Sequence, residues 1–148
     1  YSIGDLGEKR REYIGGEALA DVDFVLLPDL AATVVAEISN VDTKKGQVLH
    51  RYYSEMTRTL GEMFRVLKPG RAAVVVVGSS VMRGIDTRTE ASLAAIGRAI
   101  GFHVPKIGVR DLDRNRSMMP AGIKLDLDSQ IQLRMHQEFV IGFQKPTS

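Results

Sequence analysis

Cysteine and tryptophan are absent from the 148 residues, and aromatic side chains make up only 6% of them. Without cysteine there are no disulfides and no thiolate metal sites. No apolar run approaches the ~20 residues needed to cross a bilayer, and no secretory leader is visible. The expected setting is therefore cytoplasmic, with no membrane partner. Neither sign of charge dominates: 20 basic against 18 acidic side chains leave a net charge of +2, which permits a polyanionic partner without requiring one. Repeats and low-complexity segments are missing too. The chain has the length of one domain with a real core, expected over residues 1–148. Residues 1–45 read as loop with a short helix, and 46–148 as a helix-strand-helix-strand-strand core.

What is present centres on residues 62–80. An amphipathic helix ends at Lys68-Pro69-Gly70, and a short apolar run, 72–77, carries four valines before Gly78-Ser79-Ser80. Proline disfavours helix at the residue before it and glycine accepts positive φ, so the stop has a mechanism. Consecutive β-branched residues fit a strand buried on both faces, as in a parallel sheet covered by helices. The fold class expected is α/β, a partial doubly wound Rossmann-like sheet. It should be mostly parallel, with an antiparallel, interior C-terminal strand at 137–144.

Residues 1–20 combine glycines with the mixed-sign cluster Glu8-Lys9-Arg10-Arg11-Glu12, which reads as a solvated face. The chain opens at Tyr1 inside this loop-like stretch, as a fragment would. Residues 21–27 form a short strand or an apolar loop. Asp29 is placed to N-cap a helix over 30–38, with Ser39, Asn40 and Asp42 breaking it. A long helix over 47–67 repeats Val48, Tyr52, Met56, Leu60, Met63, Phe64 and Leu67 at three- and four-residue steps. Arg51, Glu55, Arg58, Glu62 and Arg65 repeat on the other face, alternating in sign.

Beyond the valine strand, 81–86 reads as a loop. Thr87-Arg88-Thr89-Glu90 matches a capping box for a helix to Ile100, which Gly101 ends. A second strand over 103–109 is pushed towards an edge by Pro105. Residues 110–130 are a long irregular connection, of the kind that is functional or disordered in compact domains.

In open α/β sheets, ligands sit beyond the carboxyl ends of parallel strands. That rim would gather Ser79, Ser80, Arg83, Arg88, Arg110, Arg114 and Arg116, with Arg134 and His136 entering the last strand. Between Arg83 and Arg134 the rim candidates are seven basic side chains (Arg83, Arg88, Arg110, Arg114, Arg116, Lys124 and Arg134) against five aspartates (Asp86, Asp111, Asp113, Asp126 and Asp128). A surplus of two fits a phosphate-facing rim and a plain solvated rim equally. His50, His103 and His136 have neither metal-ligand spacing nor an acidic neighbour. His50 reads as a surface residue and His136 as a structural one. No P-loop, G-x-G-x-x-G or G-x-S-x-G is present.

Several segments together resemble the C-terminal half of class I S-adenosylmethionine-dependent methyltransferases, nearest to DNA methylases acting on the exocyclic amino group of adenine or cytosine. Arg65-Val66-Leu67-Lys68-Pro69-Gly70 is similar to the turn before that fold's fifth strand. Tyr52-Tyr53, Ile100-Gly101-Phe102, Arg110, Arg114-Asn115-Arg116, Pro120 and Glu138-Phe139-Val140-Ile141-Gly142-Phe143-Gln144-Lys145 follow the DNA-methylase order. The resemblance spans about residues 47–145. It implies S-adenosylmethionine as cofactor, double-stranded DNA as partner, and base extrusion before methyl transfer. Neither the family's Gly-rich cofactor loop nor its Pro-Pro-Tyr-type motif occurs. The resemblance therefore assigns no catalytic, cofactor-binding or metal residue here, and it implies a chain inactive by itself. Substrate contact falls to Ser79, Ser80, Arg83, Arg110, Arg114 and Arg116. Completion would come from a missing N-terminal half or a second chain. A non-enzymatic alternative is a stand-alone, non-catalytic half-domain that pairs with another chain or forms a homodimer through its unpaired sheet edge. A methyltransferase acting on RNA or a small molecule would share the turn without needing the arginine-bearing loop.

Overall fold

The structure, a computed structural model, describes residues 13–78, 80–112 and 137–148. Helix α1 runs over Asp29–Val41 and buries Ala31, Val34 and Ile38, a three- and four-residue spacing. Asp29 is not its cap. It lies in the first helical turn behind Pro28, where its charge meets the positive end of the helix dipole. Ser39 and Asn40 do not break the helix, because the Ser39 hydroxyl donates back to the Val35 carbonyl at 2.7 Å.

Helix α2, Thr43–Val66, starts four residues earlier than the sequence pattern indicates. The reason is Asp42, whose carboxylate accepts the Lys45 main-chain N–H at 3.0 Å. A β-carbon at Gly46 would lie 1.9 Å from the Ser39 hydroxyl, so glycine there lets α1 and α2 meet closely. The buried stripe of α2 is Val48, Leu49, Tyr53, Met56 and Leu60. Arg51, expected on the solvated face, is only 7% exposed. The loop before α1 folds across it: Arg51 pairs with Glu55 and donates to the Ala18 carbonyl. His50 is likewise not a plain surface residue. It hydrogen-bonds the Val25 carbonyl at 2.8 Å and lies against the Phe24 ring. Residues 21–27 form no strand.

The chain leaves α2 through Leu67 and turns at Gly70, whose φ is +77°. Strand β1, Ala72–Gly78, then pairs antiparallel with the last strand, from Ala72 opposite Gln144 to Gly78 opposite Glu138. After β1 comes a hairpin rather than an open loop: β2, Val81–Met82, pairs with β3, Ile85–Asp86. Its two-residue turn is Arg83-Gly84, both with positive φ, as tight hairpins require.

Helix α3, Thr89–Ile100, buries Leu93, Ala94, Ile96 and Gly97. The expected capping box does not form. The Thr87 hydroxyl turns instead to the Ser80 carbonyl and to Thr89, and Arg88 occupies the cap position in a left-handed conformation. Gly101, φ +128°, ends the helix as expected, with the Phe102 N–H returning to the Gly97 carbonyl at 2.9 Å. His103 bridges Gln144, the chain steps away at Pro105, and β4, Ile107–Asp111, resumes beside β5, Gln137–Gln144.

The three-stranded sheet has the order β1-β5-β4. Every pairing among its described strands is antiparallel, which corrects the expectation of a mostly parallel sheet. The reason is positional: β1 and β4 do run the same way, but β5 lies between them in the opposite sense. One face packs on the helices through Ala73, Val75, Ile141 and Phe143, and Phe64, Phe102 and Phe143 stack into that core. The other face corrects the reading of β1 as buried on both sides, since Val74 is 64% exposed and Val76 53%.

Candidate functional site

At the carboxyl end of β1 a cleft of about 320 Å³ opens between the strand tip and the first half of α2. Val77, Gly78 and Ser80 form its floor, Leu49 and Tyr52 one wall, and Met82 of the hairpin with Thr87 and Thr89 the other. The residues just before α1 close a further side. Gly15 packs against the Tyr52 ring, and its N–H donates to Glu55 at 2.6 Å.

Thr87 organises the inner end. Its N–H and its hydroxyl both reach the Ser80 carbonyl at 3.0 Å, its hydroxyl shares a 2.7 Å bond with Thr89, and its own carbonyl accepts the Tyr53 hydroxyl at 2.8 Å. These bonds tie the neck of the hairpin to the start of α3 and to α2. Tyr53 is fully buried. Burial pushes its phenol up to about 12, and the neighbouring Ser92 and Thr89 hydroxyls offset part of that. Burial also raises the Tyr52 phenol. The Ser92 hydroxyl is buried and makes no well-aligned hydrogen bond among the described residues.

The described lining contains no carboxylate, imidazole or amine. It can enclose an apolar or planar group and contact it through hydroxyls, but it contains no general base. It also lacks a charged group to pair with the amino-acid end of S-adenosylmethionine. Among the described residues no cluster of three metal-ligating side chains occurs, and no helix is long and apolar enough to cross a membrane.

The residues singled out in the sequence are dispersed around this cleft. Ser80 lines it. Arg83 sits at the hairpin turn and pairs with Asp42 at 2.7 Å. Arg110, on β4, pairs with Glu138, and both lie in one row across the sheet with Gly78. The two arginines are thus held by separate carboxylates on separate elements. Ser79, Arg114, Arg116, Arg134 and His136 lie outside the described residues. Tyr52, Thr87, Thr89 and Asp42 were not marked as site residues by the sequence pattern. Their local signals, a helix stripe and two caps, point only to secondary structure.

No protein-family model matches the chain, and neither does any curated protein. Among solved structures, the fold is similar to that of a Thermus thermophilus protein described as a DNA modification methylase. The likeness is one of fold. In its complex with S-adenosyl-L-methionine that protein superposes with a TM-score of 0.51 and 22% identity, over 69% of this chain and 40% of its own. Its selenomethionine form gives 0.49 and 23% over 66% and 38%. The chain therefore spans about two-fifths of the length of the protein it matches.

Proposed function

We propose that these 148 residues form part of a DNA methyltransferase that moves a methyl group from S-adenosylmethionine to an exocyclic amino group of adenine or cytosine. The observation that carries this reading is the fold likeness to a protein described as a DNA modification methylase and crystallised with S-adenosyl-L-methionine. The Arg65–Gly70 turn and the closing Glu138–Lys145 run support it from the sequence. In this reading the carboxyl end of β1 faces the substrate. Ser79, Ser80, Arg83, Arg110, Arg114 and Arg116 contribute to a DNA-facing rim, where arginine clamps phosphate through its planar fork.

S-adenosylmethionine supplies the methyl group when bound. The described cleft does not fit it alone, because it offers hydroxyls and apolar walls but no charged partner for the cofactor's amino acid. Polypeptide other than this chain supplies the cofactor loop and the motif that orients the target amine, and the chain alone is inactive. Isothermal calorimetry with S-adenosylmethionine and transfer of labelled methyl to duplex DNA test this together. The 148 residues alone should bind no cofactor, and the complete enzyme that contains them should methylate DNA. Tight cofactor binding by the chain alone, or methylation confined to RNA or a small molecule, would overturn the reading.

A further inference from the structure

Arg83 and Arg88 are two of the three described non-glycine residues with positive φ, at +52° and +46°. Both flank β3, in the short segment that leads from the tip of β1 to α3. Such backbone is unfavourable for an L residue with a side chain, and glycine or asparagine would fit more easily. Strained positions that persist beside a cleft are a reason to look for a role in the side chain itself.

The Arg83 side chain is held in a particular way. Its Nε donates to Asp42 Oδ2 at 2.7 Å, while Asp42 Oδ1 accepts the Lys45 N–H at the start of α2. One carboxylate therefore caps a 24-residue helix and pins the hairpin turn. The Arg83 side chain stays 52% exposed, and its two terminal amino groups have no partner among the described residues. An arginine anchored through Nε keeps its outer, two-pronged edge free and has less side-chain freedom left to lose on binding. Lys44, exposed on the first turn of α2 and bearing no described ion pair, adds positive charge nearby.

We propose that Asp42 is a positioning residue for a phosphate contact: it orients Arg83 so that the outer edge of the guanidinium meets a backbone phosphate of DNA. This rests on the DNA-methyltransferase reading and adds to it a residue that touches no nucleic acid. It also runs against simple charge counting, by which an aspartate on a DNA-facing rim only repels.

The test is fluorescence anisotropy of a labelled duplex over a range of salt concentrations, using the complete enzyme and its Arg83→Gln, Arg83→Lys and Asp42→Asn variants. Asparagine retains the helix cap, and circular dichroism melting checks that each variant folds. Arg83→Gln should lower the slope of log affinity against log salt by about 0.9, one phosphate contact. Asp42→Asn should lower the slope as well and weaken low-salt binding by about 3- to 10-fold, as a misaligned contact does. Arg83→Lys should restore slope better than affinity, because lysine keeps the charge and loses the fork. Tighter binding by Asp42→Asn, or an unchanged slope for Arg83→Gln, would overturn the proposal while leaving the enzyme a DNA binder. If the unsubstituted enzyme binds no duplex, the DNA reading itself fails and this proposal falls with it.

Discussion

Lys145 closes the end of α2 from 81 residues away: its ammonium donates to the Phe64 carbonyl at 2.7 Å and lies 4.8 Å from the centre of the Phe64 ring. It also reaches the Leu67 carbonyl at 2.8 Å. The last carbonyls of a helix have no partner inside it, and a cation there meets the negative end of the dipole. The same residue's backbone bonds Arg71 and Gly70, so strand β5 and the turn before β1 are locked at one point.

Lys145→Met should therefore destabilise the fold by about 1–3 kcal/mol, since it removes charge-assisted hydrogen bonds while keeping the aliphatic stem. Chemical denaturation of both proteins reads this directly. A loss below a few tenths of a kcal/mol would mean that water replaces the ammonium without penalty.

Two helical glycines should respond to alanine with opposite signs. A β-carbon at Gly97 would stand 2.3 Å from the Phe143 ring, within the core where α3 meets β5, whereas one at Gly61 meets nothing within 4 Å. Gly97→Ala should cost about 1–3 kcal/mol through overpacking. Gly61→Ala should stabilise by about 0.5–1 kcal/mol by lowering backbone entropy in the unfolded chain and raising helix propensity. Thermal melting of the pair, run side by side, checks both signs.

Tyr53 links stability to alkaline pH. Its phenol titrates at about 12 in the fold against an ordinary 10. A group kept protonated by folding contributes fully below pH 10, and that contribution is lost as pH rises through 12. The unsubstituted chain should lose about 2 kcal/mol between pH 9 and 12 that Tyr53→Phe does not lose. At pH 8 the phenylalanine variant should be less stable by about 1 kcal/mol, for want of the bond to the Thr87 carbonyl. Urea midpoints across this range should show the two curves approaching above pH 9 and crossing between pH 10 and 12, with the phenylalanine variant the more stable beyond the crossing.

Asp42 acts at the other end of the scale. The Lys45 main-chain N–H, and then Arg83, hold its carboxyl below the ordinary 3.8. A depressed carboxyl stabilises the fold above its unfolded value and gives that up as pH falls through the lower, folded one. The stability gap between the unsubstituted chain and Asp42→Asn should thus be steady at pH 5–7 and shrink below 3.8. Melting temperatures of both proteins at pH 7, 5, 3.5 and 2.5 measure it.

Much of the scaffold was legible because its causes are local. Lys68-Pro69-Gly70 ends a helix by backbone chemistry alone, and the valine run and the 137–144 run are strands by composition. The interior placement of the closing strand was anticipated; the loss of parallel pairing that follows from it was not. Other features depend on what lies across space. Arg51 belongs to an alternating charged stripe and is buried only because the chain before α1 crosses it. Thr87 sits in a capping-box pattern, yet its hydroxyl donates to the Ser80 carbonyl and pairs with Thr89 instead of accepting a main-chain N–H at the helix start. Asp42 looked like a helix breaker because the same side-chain chemistry breaks one helix and caps the next. The cleft itself had no linear signature, being assembled from a strand tip, a helix wall and a hairpin.

The exposed valines of β1 bear on how this polypeptide behaves in a test tube. From Ala72 to Gly78 no side chain carries a charge or a proline ring, the features with which natural sheets discourage unwanted partners. No described strand pairs with the remaining edge of β1. Expressed as an isolated unit, the chain presents a ready template for adding further strands, and concentrated samples should turn cloudy on warming unless that edge is occupied.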